Sequence, residues 1–198
     1  FRSKFQEFTI TDPFQVYEAF DHAESDPKIH TIIIDTLTYL MDMFESVHVI
    51  GSANTMQQWG AYAQFMKNLM AQYVAKSTKN VIVLAHTSDV MNESEMAMET
   101  LVKVKGSLMN QGIESYFSTV IATKRVPIKK LKDYESDFLN ISEDDELDGF
   151  KYCFQTKLTK ETVNERMRSS LGMWSRKETM IDNDVQHVLD RLHEYYEA

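Results

Sequence analysis

The sequence lacks several features that mark common classes of protein. Cys153 is the only cysteine, so no intramolecular disulfide can form and a cytosolic setting is expected. No apolar run approaches the roughly 20 residues that a membrane helix needs, and no apolar core of a secretory signal follows the first residues. We therefore expect a cytoplasmic protein without a membrane partner.

Acidic residues outnumber basic ones, 30 to 21. The net charge of −9 argues against a protein whose whole surface binds nucleic acid, although it leaves room for a local basic groove. The six histidines lack metal-site spacing, so no zinc site is predicted. Because residue 1 is Phe and not Met, we expect the chain to begin inside a longer polypeptide. The 198 residues, 43% of them hydrophobic, suffice for one domain with a substantial core, or for a domain with an appendage.

Two apolar, β-branched stretches dominate the pattern. Residues 31–35 and 81–85 read as strands buried on both faces of a parallel sheet. A helical pattern over 55–76 lies between them, and strand, helix and strand at this spacing predict a βαβ crossover. A short strand over 5–10 and a helix over 13–24, with Asp12 as its N-cap, are expected before them.

The remainder of the chain has a less regular pattern. The predicted elements, in chain order, are a mobile loop or short helix over 88–106, a helical turn over 113–117, a third strand over 118–123, a solvated acidic loop over 133–148, a strand over 150–156 that pairs antiparallel with the third, and an amphipathic helix over 181–196. We predict an α/β fold with its core in residues 1–180 and a C-terminal helix in 181–198.

Asp35 is the most informative residue, because it ends an apolar strand abruptly and Thr36 follows it. Open α/β sheets bind ligands at the carboxyl ends of their strands. A carboxylate and a hydroxyl there can hold Mg²⁺, directly or through water. The alternative is that Asp35 caps the following turn.

His86 ends the next predicted strand, so we expect it near Asp35 across the sheet. A polar side chain at this place can orient an attacking water or sense a γ-phosphate. A structural histidine with satisfied hydrogen bonds is the alternative.

Two basic stretches follow. Lys124 and Arg125 open the first, which continues through Lys129, Lys130 and Lys132 and could contact phosphates of a nucleotide or of single-stranded DNA. Its alternative is a solvated hairpin that balances the acidic loop. Arg166 and Arg168, two residues apart, could present both guanidinium groups to a neighbouring subunit's triphosphate.

In their order and spacing these segments resemble the second half of a RecA-like ATPase, in particular the phage nucleotide-binding proteins of the single-strand annealing and recombination type. The matching segments are Thr31-Ile-Ile-Ile-Asp-Thr-Leu-Thr, Trp59-Gly-Ala-Tyr62, Val81-Ile-Val-Leu-Ala-His86, Lys105-Gly-Ser-Leu108, Ile113-Glu-Ser-Tyr-Phe117, Phe154-Gln-Thr156 and Arg166-Met-Arg168. The resemblance as a whole extends over roughly residues 5–176.

The resemblance implies a RecA-like three-layer sandwich with a mostly parallel sheet and antiparallel strands toward the C-terminus. It implies ATP and Mg²⁺ as cofactors, with Asp35 as the Walker B carboxylate, Thr36 assisting at the metal and His86 at the sensor position. Residues 88–106, with Lys105, would face DNA, and Arg166 and Arg168 would reach a neighbour's nucleotide. Such proteins assemble on single-stranded DNA as homo-oligomeric rings or filaments, here in the host cytoplasm if the chain is phage-encoded.

One expected part of such an ATPase is missing from these residues. No G-x-x-x-x-G-K-[ST] phosphate loop occurs in the sequence, and its backbone N–H groups and lysine would supply most of the triphosphate binding. Three hypotheses follow: an ATPase whose loop lies elsewhere, a non-hydrolysing module that binds single-stranded DNA or a protein, and a structural subunit.

Overall fold

The computed structural model describes residues 5–106, 108 and 112–197. The α-helices are α1 (Gln15–Ser25), α2 (Leu37–Phe44), α3 (Thr55–Asn68), α4 (Ile128–Leu131), α5 (Glu143–Asp148) and α6 (Val185–Glu197). The strands are β1 (Thr31–Ile34), β2 (Asn80–Val83), β3 (Thr87–Asn92), β4 (Ala97–Val102), β5 (Ala122–Pro127), β6 (Phe150–Gln155) and β7 (Met180–Asp182). A π-helical turn continues α2 over Glu45–Val49 and another continues α3 over Leu69–Val74.

The described strands form three small sheets. Strands β1 and β2 pair in parallel, with Ile33 opposite Ile82, as the βαβ pattern predicts. Strands β3 and β4 pair with each other, and β6 pairs antiparallel with both β5 and β7. The chain is thus a mixed α/β protein with antiparallel strands toward its C-terminus. Of the predicted mostly parallel sheet, the described residues contain one parallel pair.

The chain folds into two compact units. Unit 1 is built from the chain up to Ser88 together with Val102–Ile113, and unit 2 from Asp89–Leu101 together with the chain from Glu114 onward. No helix in the described part of the chain is long and apolar enough to cross a membrane.

The core of unit 1 is helical and rich in aromatic side chains. Phe20, Phe44, Tyr62 and Phe65 are almost completely buried, and burial of each large apolar side chain contributes about 1.5–3 kcal/mol relative to exposure. The hydroxyl of Tyr62 donates to Met41 Sδ at 2.6 Å. Burial raises the pKa of Tyr62 to about 12, so this phenol stays protonated and continues to donate.

Unit 2 packs side chains on both faces of the sheet β5–β6–β7. One face carries a cluster built on Val126, Ile128, Leu131, Cys153 and Met180. The other carries a cluster built on Met173, Trp174, Ile181 and Val188, of which Val188 comes from α6. The C-terminal helix therefore belongs to the core of unit 2.

Several predictions for unit 1 need correction. Residues 5–10 form no strand and are mostly exposed, because no described strand pairs with them. Helix α1 begins at Gln15, and the Asp12 carboxylate accepts from the N–H of Phe14 just before it. No residue of β1 or β2 is fully buried, and Ile33 is 47% exposed, so these strands are not covered on both faces.

Three predictions in the remaining chain are also wrong. Residues 88–106 hold the strand pair β3–β4 in place of a loop or short helix. The third strand begins at Ala122, four residues later than predicted, because its pairing with β6 sets the register. The acidic stretch is partly helical: Ser142 and Asp145 form a capping box at the start of α5, and Gly149 ends it at a positive φ of 77°.

Candidate functional site

The carboxyl ends of β1 and β2 are joined beyond the strands themselves. The N–H of Leu84 donates to Ile34 O at 3.0 Å, and the N–H of Leu37 donates to Leu84 O at 2.8 Å. The turn that carries Asp35 and Thr36 is therefore held against the end of β2. The peptide bond between Asp35 and Thr36 is cis.

The cap of α2 is Thr36 and not Asp35. Thr36 Oγ1 accepts from the N–H of Tyr39 at 3.2 Å. The Asp35 side chain is exposed and makes no hydrogen bond or ion pair within the described residues. The alternative considered for Asp35 was to cap the following turn; the side chain that caps there is that of its neighbour Thr36. The Asp35 carboxylate remains open to water at the sheet edge.

His86 is anchored by its backbone and leaves its ring exposed. Its N–H donates to Thr38 Oγ1 at 3.0 Å, and its carbonyl accepts from the N–H of Lys103 at 2.8 Å. The ring lies edge-on to that of Tyr39, with 5.5 Å between centroids. The three side chains predicted for this edge, Asp35, Thr36 and His86, thus lie on turns joined to one another by hydrogen bonds.

Thr38 and Tyr39 also belong to this edge, and the sequence analysis did not predict them as site residues. Thr38 is buried and Tyr39 is 63% exposed, and both lie within the first turn of α2. Their spacing from the Thr36 cap could have shown that one faces the sheet and the other faces water. The hydrogen bond from His86 to Thr38 depends on tertiary structure and has no signal in the sequence.

The donor set at this edge is small for a metal. Among the described residues, no group of three or more His, Cys, Asp or Glu side chains could hold a metal ion. Mg²⁺ commonly keeps several waters and binds through one or two carboxylates plus substrate phosphates. The single carboxylate of Asp35 fits that mode, and it fits only together with a bound triphosphate.

Lys105, predicted to face DNA, is held by carboxylates of unit 1. Its ammonium donates to Asp42 Oδ1 at 2.9 Å and also to Glu45. The hydrogen bonds to Asp42 and Glu45 raise the pKa of Lys105. This network fastens the segment after β4 to the end of α2. Ser107, part of the matching Lys105–Leu108 segment, lies outside the described residues.

The predicted arginine pair lies in unit 2. Arg166 Nη2 is 3.3 Å from Glu99 Oε2, and that carboxylate also accepts from Asn92. The exposed Arg168 donates to Ser115 O at 3.4 Å. Isolated β-bridges join Glu165 to Thr100 and Arg168 to Val120.

Lys124 and Arg125 lie inside β5, so they point to opposite faces of the sheet. Lys124 pairs with Glu165, whereas the guanidinium of Arg125 lies 5.3 Å from the centroid of the Phe150 ring. A shared role in binding one cofactor is therefore not supported by their directions.

The three following lysines lie in or beside α4. Lys130 pairs with Glu161 at 2.6 Å on the surface. Within the described residues, Lys129 and Lys132 are exposed and make no ion pair. Part of this stretch thus balances acidic side chains, and part remains available for phosphates.

Comparison of the chain with protein-family models, with curated proteins and with solved structures found no match. The resemblance to RecA-like phage ATPases stays a prediction.

Proposed function

We propose that this chain is the core of a RecA-like, P-loop type ATPase that acts on single-stranded DNA in recombination or annealing, as in phages. The proposal is supported most by the arrangement of polar residues at the carboxyl ends of β1 and β2. There the neighbours of Asp35, Ile34 and Leu37, are hydrogen-bonded to Leu84, and the N–H of His86 donates to Thr38 Oγ1. The side chains of Asp35 and His86 remain exposed. Fixed backbones with open polar side chains are what phosphoryl transfer requires, since its catalysis is mostly positioning and electrostatics.

Each residue has a distinct role in this proposal. Asp35 would hold Mg²⁺ through its carboxylate, and the bound Mg²⁺ neutralises charge that develops on the phosphoryl oxygens. Thr36 Oγ1 accepts one hydrogen bond from Tyr39, which leaves its proton and a lone pair for a water beside the metal. His86 would orient the attacking water.

The triphosphate itself needs binding groups from outside these residues. The sequence contains no glycine-rich phosphate loop, so hydrolysis requires such a loop from another part of the polypeptide. Arg166 and Arg168 would act across a homo-oligomer interface, in a ring or filament. For that role Arg166 would exchange its partner Glu99 for a phosphate, and the stronger charge of the triphosphate favours the exchange.

The test is ATP turnover by the full encoded polypeptide that contains this chain, with Mg²⁺ and single-stranded DNA. We expect Asp35→Ala to lower kcat at least 100-fold and His86→Ala to lower it about 100-fold to 10,000-fold, the usual contribution of a positioned proton-transfer or water-orienting group. Asp21→Ala is the matched control, because Asp21 is an exposed carboxylate on α1 of the same unit. Unchanged turnover in Asp35→Ala would overturn the proposal.

A second candidate function is a non-hydrolysing RecA-like module that binds single-stranded DNA or a protein partner. It is favoured by the missing phosphate loop and by the carboxylates that hold Lys105 and Arg166. No ATP turnover, together with salt-sensitive DNA binding that weakens when Lys129, Lys130 and Lys132 are replaced by alanine, would favour this candidate.

A further inference from the structure

A row of three side chains lies on one face of the β5–β6 pair, and neither candidate function uses it as a unit. Arg125 is opposite Tyr152 in the antiparallel register. Phe150 and Tyr152, two residues apart on β6, have ring centroids 5.6 Å apart, and the Arg125 guanidinium lies 5.3 Å from the Phe150 centroid. We call Arg125, Phe150 and Tyr152 the aromatic row.

The aromatic row lies at the exposed end of this face of the β5–β6 pair. Farther along the same face, Phe154 and Ile181 pack into the cluster with Trp174 and Val188. Tyr152 is 55% exposed, and Arg125 is exposed as well. One exposed ring is ordinary on a protein surface. What distinguishes the aromatic row is the contact of two rings with each other and with a cation on one sheet face.

The charge around the aromatic row is suited to an anionic ligand. Within the described residues Arg125 makes no ion pair, and its position over the Phe150 ring holds it in place. The nearby acidic helix α5 is tied to the opposite face, because Asp145 pairs with Lys151, whose side chain shares the face of Cys153. One free guanidinium therefore lies beside an open tyrosine ring.

We propose that the aromatic row binds single-stranded nucleic acid, with a base stacked on Tyr152 and a phosphate paired with Arg125. Every base offers a π face to an aromatic ring, so such stacking tolerates any sequence. A duplex keeps its bases stacked inside and cannot use a flat row on a sheet. The proposal rests on the DNA-binding part of the proposed function and is independent of the site at Asp35.

The test is fluorescence anisotropy of a labelled oligothymidine with the purified chain, without ATP, across a series of salt concentrations. We expect Tyr152→Ala to weaken binding about fivefold to 100-fold, the usual contribution of one stacked base, with an unchanged salt slope. Arg125→Ala should weaken binding and make the slope of log K against log salt shallower by about 0.7, because one phosphate contact is lost.

Matched variants separate stacking from other effects. Tyr152→Phe keeps the ring and should bind like the original chain. Tyr196→Ala removes a ring that is 60% exposed on α6 of the same unit and should leave binding unchanged. Tyr152→Trp should show added fluorescence quenching on oligothymidine binding, and this readout works even if the alanine variant folds poorly.

The outcomes distinguish this proposal from the proposed function. Asp35→Ala should bind oligothymidine normally, and Tyr152→Ala should keep any DNA-independent ATP turnover. Equal binding by Tyr152→Ala and the original chain, or no added quenching in Tyr152→Trp, would overturn the proposal. Self-association that Tyr152→Ala abolishes, without DNA binding, would assign the aromatic row to a second copy of the chain.

Discussion

At the residue scale, burial decides the chemistry of Cys153. The thiol is fully buried in the sheet of unit 2, and burial raises its pKa to about 11. Because the thiolate is the reactive form, we expect negligible labelling of the native protein by a thiol reagent between pH 7 and 9. Denaturant should make labelling complete, which serves as the control. Rapid labelling of native protein would contradict the buried position.

Asp35 shows how one residue can be placed by sequence and interpreted only in the fold. A carboxylate at the end of an apolar strand was visible in the sequence, and β1 does end at Ile34, just before it. Its competition with Thr36 for the cap of α2 was not decidable, because either short polar side chain can cap a helix. The turn geometry assigns the cap to Thr36.

At the element scale, backbone conformation separates two glycines that both have open space around them. A Cβ added at Gly149 or at Gly60 would meet nothing within 4 Å. Gly149 ends α5 at a φ of 77°, so Gly149→Ala should cost about 1–2 kcal/mol of unfolding free energy. Gly60 lies inside α3, where alanine is the better helix former. Gly60→Ala should therefore raise the free energy of unfolding by about 0.5–1 kcal/mol. Urea unfolding of each variant measures both changes in free energy. Changes of the same sign and size in the two variants would contradict the positive φ at Gly149 and the helical position of Gly60.

The strand pair β3–β4 and helix α5 escaped prediction for different reasons. Strands β3 and β4 carry mixed Met and Glu and no clean alternation, and they exist because each supplies the other's hydrogen bonds and because Asp89 accepts from Thr100 at 2.6 Å. Helix α5 had a readable signal in Ser142, Asp145 and Gly149. Eight of the sixteen residues 133–148 are acidic, and this composition was interpreted as a solvated loop.

At the scale of the whole molecule, two cores in one chain predict two unfolding reactions, since units with their own cores open separately. Trp59→Phe leaves Trp174, in the core of unit 2, as the only tryptophan. In that background the fluorescence of Trp174 follows the unfolding of unit 2. Gly149→Ala should lower the urea concentration at the midpoint of this transition, and Gly60→Ala should leave that midpoint unchanged. A shift of equal size in both variants would show one cooperative transition.

The sequence alone determined the strongly periodic parts of this protein: α1, α3, the two parallel strands, β6 and the C-terminal helix from Val185 onward. Their apolar residues repeat at a helix or strand period, and that period is local information. The predicted start of the C-terminal helix was wrong, because Ile181 and Asp182 lie in β7, which pairs with β6. The tertiary structure decided the partners: three small sheets, the late start of β5, the carboxylates that hold Lys105 and Arg166, and the aromatic row. These features depend on contacts between residues far apart in the chain, and no spacing within one segment encodes them.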